Sequence, residues 1–313
     1  MTASGDKSFT SNGILNAMTV DVEEHFQVSA FEGSVSRDDW HRHPSRVTDN
    51  TSRLLDMLDD ASVKATFFVL GWIAEKHPSI VGDIARRGHE IASHGYDHRL
   101  VYSQSPGEFR EGTRRSQCLL QDQCGQPVVG YRAASFSIGA SNLWAFDVLA
   151  DLGFEYDSSV FPVVHDRYGM PNAPRRIHAV KTSSGATIVE VPPSTLRFAK
   201  VNIPVAGGGY LRFFPLSVTR RAIRRLNTHD KSPAVVYIHP WEIDPGQPRL
   251  EGPWRSRFRH YTGLKRTRRR LIDLMGTFRF GTVREIIEQT LPNPSDVQPG
   301  LDVSGNRSSG PPA

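Results

Sequence analysis

Two histidines four residues apart, His94 and His98 in SHGYDH, are the first residues in this chain whose spacing suggests chemistry. On a helical turn that spacing puts both imidazoles on one side, where they can share one metal ion. The pair alone is a weak signal, because surface and core histidines often fall at this spacing. The string TVDVEEHF adds Asp21 and Glu23 at the end of an apolar run. A strand points residues two apart to the same face. Two carboxylates on one buried face repel unless a proton or a cation holds them. Two histidines and one carboxylate around a divalent metal leave positions open for water and substrate, which is the catalytic pattern rather than the closed structural one. Glu24 reads as a solvated acidic strand end.

Two more residues belong with these. Arg132 in GYRAASFS directly follows a strand. Its guanidinium would pair with Asp21 and keep it ionised, although any one arginine reads equally well as a surface residue. His239 in YIHPWE ends an apolar strand and is followed by Pro240. Its plain reading is a strand-end histidine with no role. Cys118 and Cys124 lack the spacing of a zinc ribbon and do not make a disulfide framework; they read as packing or surface thiols.

These residues need a scaffold, and the chain alternates strand-like and helix-like segments. Strands are expected at Leu15–Val22, Ala65–Leu70, Glu90–Ser93, Val129–Arg132, Ile188–Val191 and Ala234–His239. Helices are expected at Thr48–Asp60, capped by Thr48 or Asp49, and at Ile73–Arg87, Ser105–Cys124, Trp144–Leu152 and Leu216–Asn227. The alternation predicts a parallel sheet covered by helices. Asp21, Glu23, His94, Arg132, Asp157 and His239 all fall just past strand ends. That is the face where a (β/α) barrel gathers its active-site loops. A doubly wound sheet would carry a glycine-rich phosphate turn after its first strand. DVEE stands there instead and would repel a phosphate.

The composition is that of a globular chain: 313 residues, 38% hydrophobic and 23% charged. No apolar run is long enough to span a membrane. The N-terminus lacks the basic start and apolar run of a signal peptide, so a cytoplasmic location is the expectation. Residues 1–14 read as a disordered leader, and 292–313, rich in Pro, Gly and Ser, as a disordered tail. The net charge is +5. The segment 255–270 is crowded with Arg and Lys and has no acid. It reads first as a solvated helix face, and second as a patch for peripheral association with an anionic polymer or surface. No specific nucleic-acid site is expected.

Taken in order, DVEE, SHGYDH, RAASF, YDSS and YIH resemble the five motifs of the polysaccharide deacetylases, the carbohydrate esterase group with the NodB homology domain. TVDVEEHF, GGGYLRFFP and HPWEIDPGQPR resemble a subgroup associated with exopolysaccharide loci. The resemblance covers about residues 17–242. It implies an incomplete (β/α) barrel of about seven strands over 15–241, with a C-terminal extension at 242–291 packed on it. It also implies one divalent metal, zinc before cobalt, nickel or manganese, held by Glu23, His94 and His98, with Glu24 as a second candidate for the carboxylate ligand. Asp21 would be the general base and His239 the general acid. Arg132 would orient Asp21, Asp157 would orient His239 or Arg132, and a backbone N–H near Ser135 would meet the oxyanion. The substrate would be an N-acetylated polysaccharide or oligosaccharide, with Tyr210 and Trp241 as candidates to stack on a sugar ring. The chain departs from the family pattern where adjacent aspartates usually stand (here DVE) and at Ala134, where a proline is usual. Two rival readings are an allantoinase-like amidohydrolase and a catalytically silent polysaccharide-binding protein.

Overall fold

The computed structural model describes residues 13–165, 167–205, 207–291 and 299–303. In chain order the strands are β1 Asn16–Val22, β2 Thr66–Val69, β3 Glu90–Ser93, β4 Gly130–Tyr131, β5 Tyr156–Asp157, β6 His178–Lys181, β7 Thr187–Glu190, β8 Thr195–Phe198, β9 Val201–Pro204, β10 Val235–Ile238, β11 Phe280–Gly281 and β12 Pro299–Asp302. The helices are α1 Val47–Ala61, α2 Gly71–Lys76, α3 Ser79–Arg86, α4 Pro106–Cys124, α5 Ala145–Asp151, α6 Gly208–Phe213, α7 Leu216–Thr228, α8 Trp254–Tyr261, α9 Leu264–Thr277 and α10 Val283–Thr290.

One sheet organises the molecule, in the order β10-β1-β2-β3-β4-β5-β7-β6-β12, with β11 added beside β1. Its pairings are parallel except β6 with β7. The order runs from one edge to the other without closing, so this is an open, barrel-like α/β fold. β1 is buried along its whole length. That is the reason its sequence is continuously apolar until the carboxylates begin: both faces are covered. The helices pack around it through a core that includes Met18, Leu54, Phe67, Phe109, Phe146, Ile223 and Leu274.

Several expectations need correction. The helix expected over 73–87 is two helices, because Pro78 cannot continue the first one. α1 begins at Val47 without a cap from Thr48 or Asp49; Glu24 supplies the acceptor instead, as described below. The tail is not wholly without structure: Pro299–Asp302 pairs with β6 at the sheet edge. The rest of the tail and nearly all of the leader lie outside the described residues. A separate hairpin, β8–β9, was not anticipated. The Gly207–Gly209 run serves a close approach to Tyr237, since a Cβ on Gly207 would run into that ring. Cys118 and Cys124 are free thiols.

Candidate metal centre

Two pairs of strands deliver the site, β10 beside β1 and β3 beside β4, with β2 between the pairs. β1 carries Asp21 and leads into Glu23, β3 leads into His94 and His98, β4 into Arg132, and β10 into His239. All lie at the C-terminal ends of parallel strands, the end where such folds place their reactive loops.

Glu23, His94 and His98 each offer a ligand atom, and these atoms lie within 4.8 Å of one another. All three residues are buried. His94 Nδ1–H donates to the Arg132 carbonyl at 2.8 Å, which leaves Nε2 as the free lone pair. Glu23 Oε2 is 2.8 Å from His98 Nε2, yet it has no hydrogen-bond partner although it is buried. A buried carboxylate oxygen without a partner, beside two imidazole nitrogens, fits a divalent cation. Glu23 Oε1 is held by the Trp241 indole N–H at 3.1 Å.

Charge follows from this packing. Burial alone would raise the Glu23 carboxyl, but the His98 and His239 imidazoles reverse this and hold it far below its ordinary value. Burial pushes His94 down to about 4, so it is neutral and able to ligate. For His239 burial acts downward, and Glu23 and Glu242 overcome it, raising the imidazole to about 9.

Asp21 lies beside the triad. Its Oδ1 accepts from Arg132 Nη1 at 2.6 Å, and its Oδ2 faces His239 Nε2 at 3.8 Å. Arg132 is completely buried. It also donates to Thr19 Oγ1 at 2.8 Å, Ser158 Oγ at 2.9 Å and the Ser158 carbonyl at 3.3 Å, and its guanidinium lies 4.0 Å over the Phe68 ring. Such a pair survives burial only because its remaining hydrogen bonds are made. His239 Nε2 lies 3.7 Å from Glu23 Oε1, so the imidazole borders both carboxylates.

The loop around Ser135 carries backbone strain. Ser135 and Phe136 have φ of 51° and 55°, and His98 has 56°. Non-glycine residues reach this region rarely, and where they do they concentrate at functional sites. Ser135 Oγ pairs at 2.8 Å with Ser29 Oγ, which lies 3.5 Å from His98 Nδ1.

The other candidate residues have surroundings of their own. Glu24 is neither solvated nor one of the triad. It is buried, and it accepts from the Arg46 N–H at 3.0 Å and the Val47 N–H at 3.2 Å, placing its charge at the N-terminus of α1. Trp241 is buried with imidazoles on its ring, His239 at 5.0 Å and His260 at 4.1 Å, and has no face left for a sugar. Tyr210 is half-buried and stacks on Phe214 at 6.2 Å. Asp157 bonds Ser159 and sits beside Glu190; of the two residues it was expected to orient, it hydrogen-bonds neither His239 nor Arg132, though the Arg132 charge helps to hold it ionised. The residue that orients His239 is Glu242, whose Oε1 accepts from Nδ1–H at 2.7 Å. Glu242 is itself held by Arg212 Nε at 2.6 Å. A sequence signal for Glu242 existed: proline after His239 and Glu three residues on is the capping-box spacing. Arg212 and Glu190 had none.

Comparison with known proteins now adds to the geometry. Residues 37–156 match the family model described as polysaccharide deacetylase. Over that segment the chain is similar to the polysaccharide deacetylases. Residues 158–288 match a domain of unknown function, DUF3473. The site draws on both segments: His94, His98 and Arg132 come from the first, and His239 and its support from the second. A peptidoglycan-N-acetylglucosamine deacetylase of Bacillus cereus is 40% identical over 75 residues, 24% of this chain and 27% of that protein. A chitooligosaccharide deacetylase of Rhizobium leguminosarum bv. trifolii is 44% identical over 101 residues, 32% of this chain and 44% of that protein. The chain thus spans less than half the length of these relatives. A crystal structure from Mycobacterium smegmatis, assigned to the polysaccharide deacetylases, superposes with a TM-score of 0.61 at 21% identity, covering 95% of this chain and 93% of that one. That likeness establishes the fold.

Proposed function

We propose that this chain is a metal-dependent hydrolase that removes N-acetyl groups from amino sugars of a polysaccharide, in the making of an exopolysaccharide. The observation that carries the reading is the buried Glu23–His94–His98 triad with Asp21 on one flank and His239 on the other. Three protein ligands leave coordination open, as catalytic sites do. A divalent cation there, zinc before cobalt, nickel or manganese, would supply Lewis-acid polarisation of the acetamide carbonyl and a lowered water pKa.

The residues do the rest. Arg132 occupies Asp21 Oδ1 and leaves Oδ2 to take the proton of the attacking water as general base. The backbone near Ser135 supplies a donor for the oxyanion. His239, held by Glu242 with Nε2 turned inward, is charged at neutral pH and gives its proton to the departing amine.

Acetate release from N-acetylglucosamine oligomers, with and without chelator, tests this. Metal-dependent release supports the reading. Turnover of a cyclic ureide with no acetate release would move the chain to an allantoinase-like activity. Glycan binding with no turnover of either would make it a silent binder.

A further inference from the structure

The basic segment is not one uniform face. Arg270 is used structurally, donating to the Leu211 and Arg212 carbonyls at the end of α6. The first part of the segment is different. α8 and the turn before it border a shallow, open cavity of about 380 Å³ lined by Arg249, Trp254, Arg257, Phe258, Tyr261 and Thr262. Trp254 is 72% exposed and Phe258 59% exposed. Large aromatic faces left in water mark binding surfaces when they cluster. The Arg249 guanidinium lies 4.1 Å over the Tyr261 ring, and that of Arg255 lies 5.5 Å from the Trp254 ring. No acidic side chain lines the cavity. Among the described residues, the ion pairs leave out Arg249, Arg255 and Arg257.

The floor is fixed. The Tyr261 hydroxyl accepts from the Leu250 N–H at 2.6 Å and lies 3.3 Å from the Pro248 carbonyl it donates to. The Tyr261 ring stands edge-on to His260 at 4.6 Å, and His260 stacks on Trp241 at 4.1 Å. Trp241 donates to the metal-triad residue Glu23. Three residues, Tyr261, His260 and Trp241, thus link the lining of the cavity to Glu23.

We infer that this cavity binds an anionic polysaccharide, with sugar faces on Trp254 and Phe258 and acid groups on the guanidinia of Arg249 and Arg257. Flat amphipathic rings suit the apolar face of a sugar, and guanidinium forks suit carboxylates. A membrane surface would meet a continuous apolar face, and here guanidinia alternate with rings around a hollow. Single-stranded nucleic acid shares part of this chemistry. Its place three residues away from a centre read as acting on polysaccharide favours the glycan. The inference rests on the deacetylase reading, and it names an acidic polymer as the substrate class.

The test is calorimetric binding to the full chain, with and without chelator. The probes are hexameric oligogalacturonate, the neutral N-acetylglucosamine hexamer, oligothymidylate and anionic lipid vesicles. Oligogalacturonate should bind with or without chelator. Its Kd should weaken at least about tenfold in Trp254→Ala and in Arg257→Glu, as expected for anchors of a binding site. Three results would overturn the inference: no oligogalacturonate binding, binding unmoved in both variants, or tighter binding of oligothymidylate or vesicles. Both substitutions are on exposed side chains, so folding is not at stake. Acetate release without this binding would sink the inference alone. Binding without acetate release would sink the deacetylase reading alone.

Discussion

His239 Nδ1 lies 2.7 Å from Oε1 of Glu242, three residues further along the chain, and Arg212 holds the other carboxylate oxygen at 2.6 Å. The carboxylate fixes which imidazole nitrogen keeps its hydrogen and turns Nε2 toward Asp21 and Glu23. Glu242 lies in the segment matching DUF3473. The orientation of the proposed acid thus comes from that segment and not from Asp157.

Glu242→Gln should therefore lower turnover of an N-acetyl sugar by about 10–100-fold, the usual cost of losing a partner that orients a working histidine. An activated aryl acetate needs no protonation of its leaving group, and its hydrolysis should fall far less. Comparing the two substrates, with Tm as a check on folding, separates proton delivery from general damage. Equal losses on both would contradict the role.

Glu23 and Glu24 should part company when mutated. Glu23→Ala, His94→Ala and His98→Ala should each lose bound metal. Glu24→Ala should keep it and lose about 1 kcal/mol or more of stability, because the N-terminus of α1 loses its acceptor. Metal analysis and urea unfolding of the four variants read this out. Metal retained in both histidine variants would refute the ligand set.

Much of this site was legible because strand periodicity is strict. Asp21 and Glu23 two apart on a buried strand must share a face, and the loop after β3 must bring His94 beside them. What stayed hidden depended on contacts across the chain. Trp241 reads as a sugar platform, yet imidazoles distant in sequence or hidden behind a proline cover its ring. Glu24 reads as solvated, and only the arrival of Arg46 and Val47, twenty-odd residues later, gives it a burial site. Pro78 is visible in the sequence, and its missing N–H is reason enough to end the helix there. The edge strand Pro299–Asp302 lacks the apolar alternation that announces a strand, whereas the β8–β9 hairpin carries it, in Leu196 and Phe198 and then Val201 and Ile203, over only four residues a side.

The buried pair Asp157 and Glu190 sets a pH dependence. Burial, and then the Asp157 charge beside it, raise Glu190 well above its ordinary 4.5. The folded state therefore keeps a proton that the unfolded chain releases. That contribution is complete below about pH 4.5 and is lost as pH climbs toward the folded value. Glu190→Gln can still donate to Asp157 and accept from the Val160 N–H, the bond now made at 3.0 Å. The variant should gain urea resistance relative to the parent at pH 8 and gain little at pH 4. An equal difference at both pH values would show that Glu190 is ionised in the folded chain.

The sharpest prediction separates Asp21 from the ligands. Asp21→Asn should fold and keep its metal, since Glu23, His94 and His98 are untouched and the amide oxygen can still accept from Arg132 Nη1, now 2.6 Å from Oδ1. The atom turned toward His239 then becomes an NH₂, which cannot take a proton from water. General base catalysis typically contributes about 10²–10⁴-fold, so kcat should fall by that order while KM moves far less. Arg132→Ala should behave differently. It strips a fully buried partner and leaves Asp21 as an uncompensated charge, at a cost of about 3–5 kcal/mol of stability. Metal content, acetate release and urea unfolding, measured on both variants, distinguish a base from a ligand. Loss of metal in Asp21→Asn would make Asp21 a ligand, and near-full activity with metal retained would leave the centre without its base.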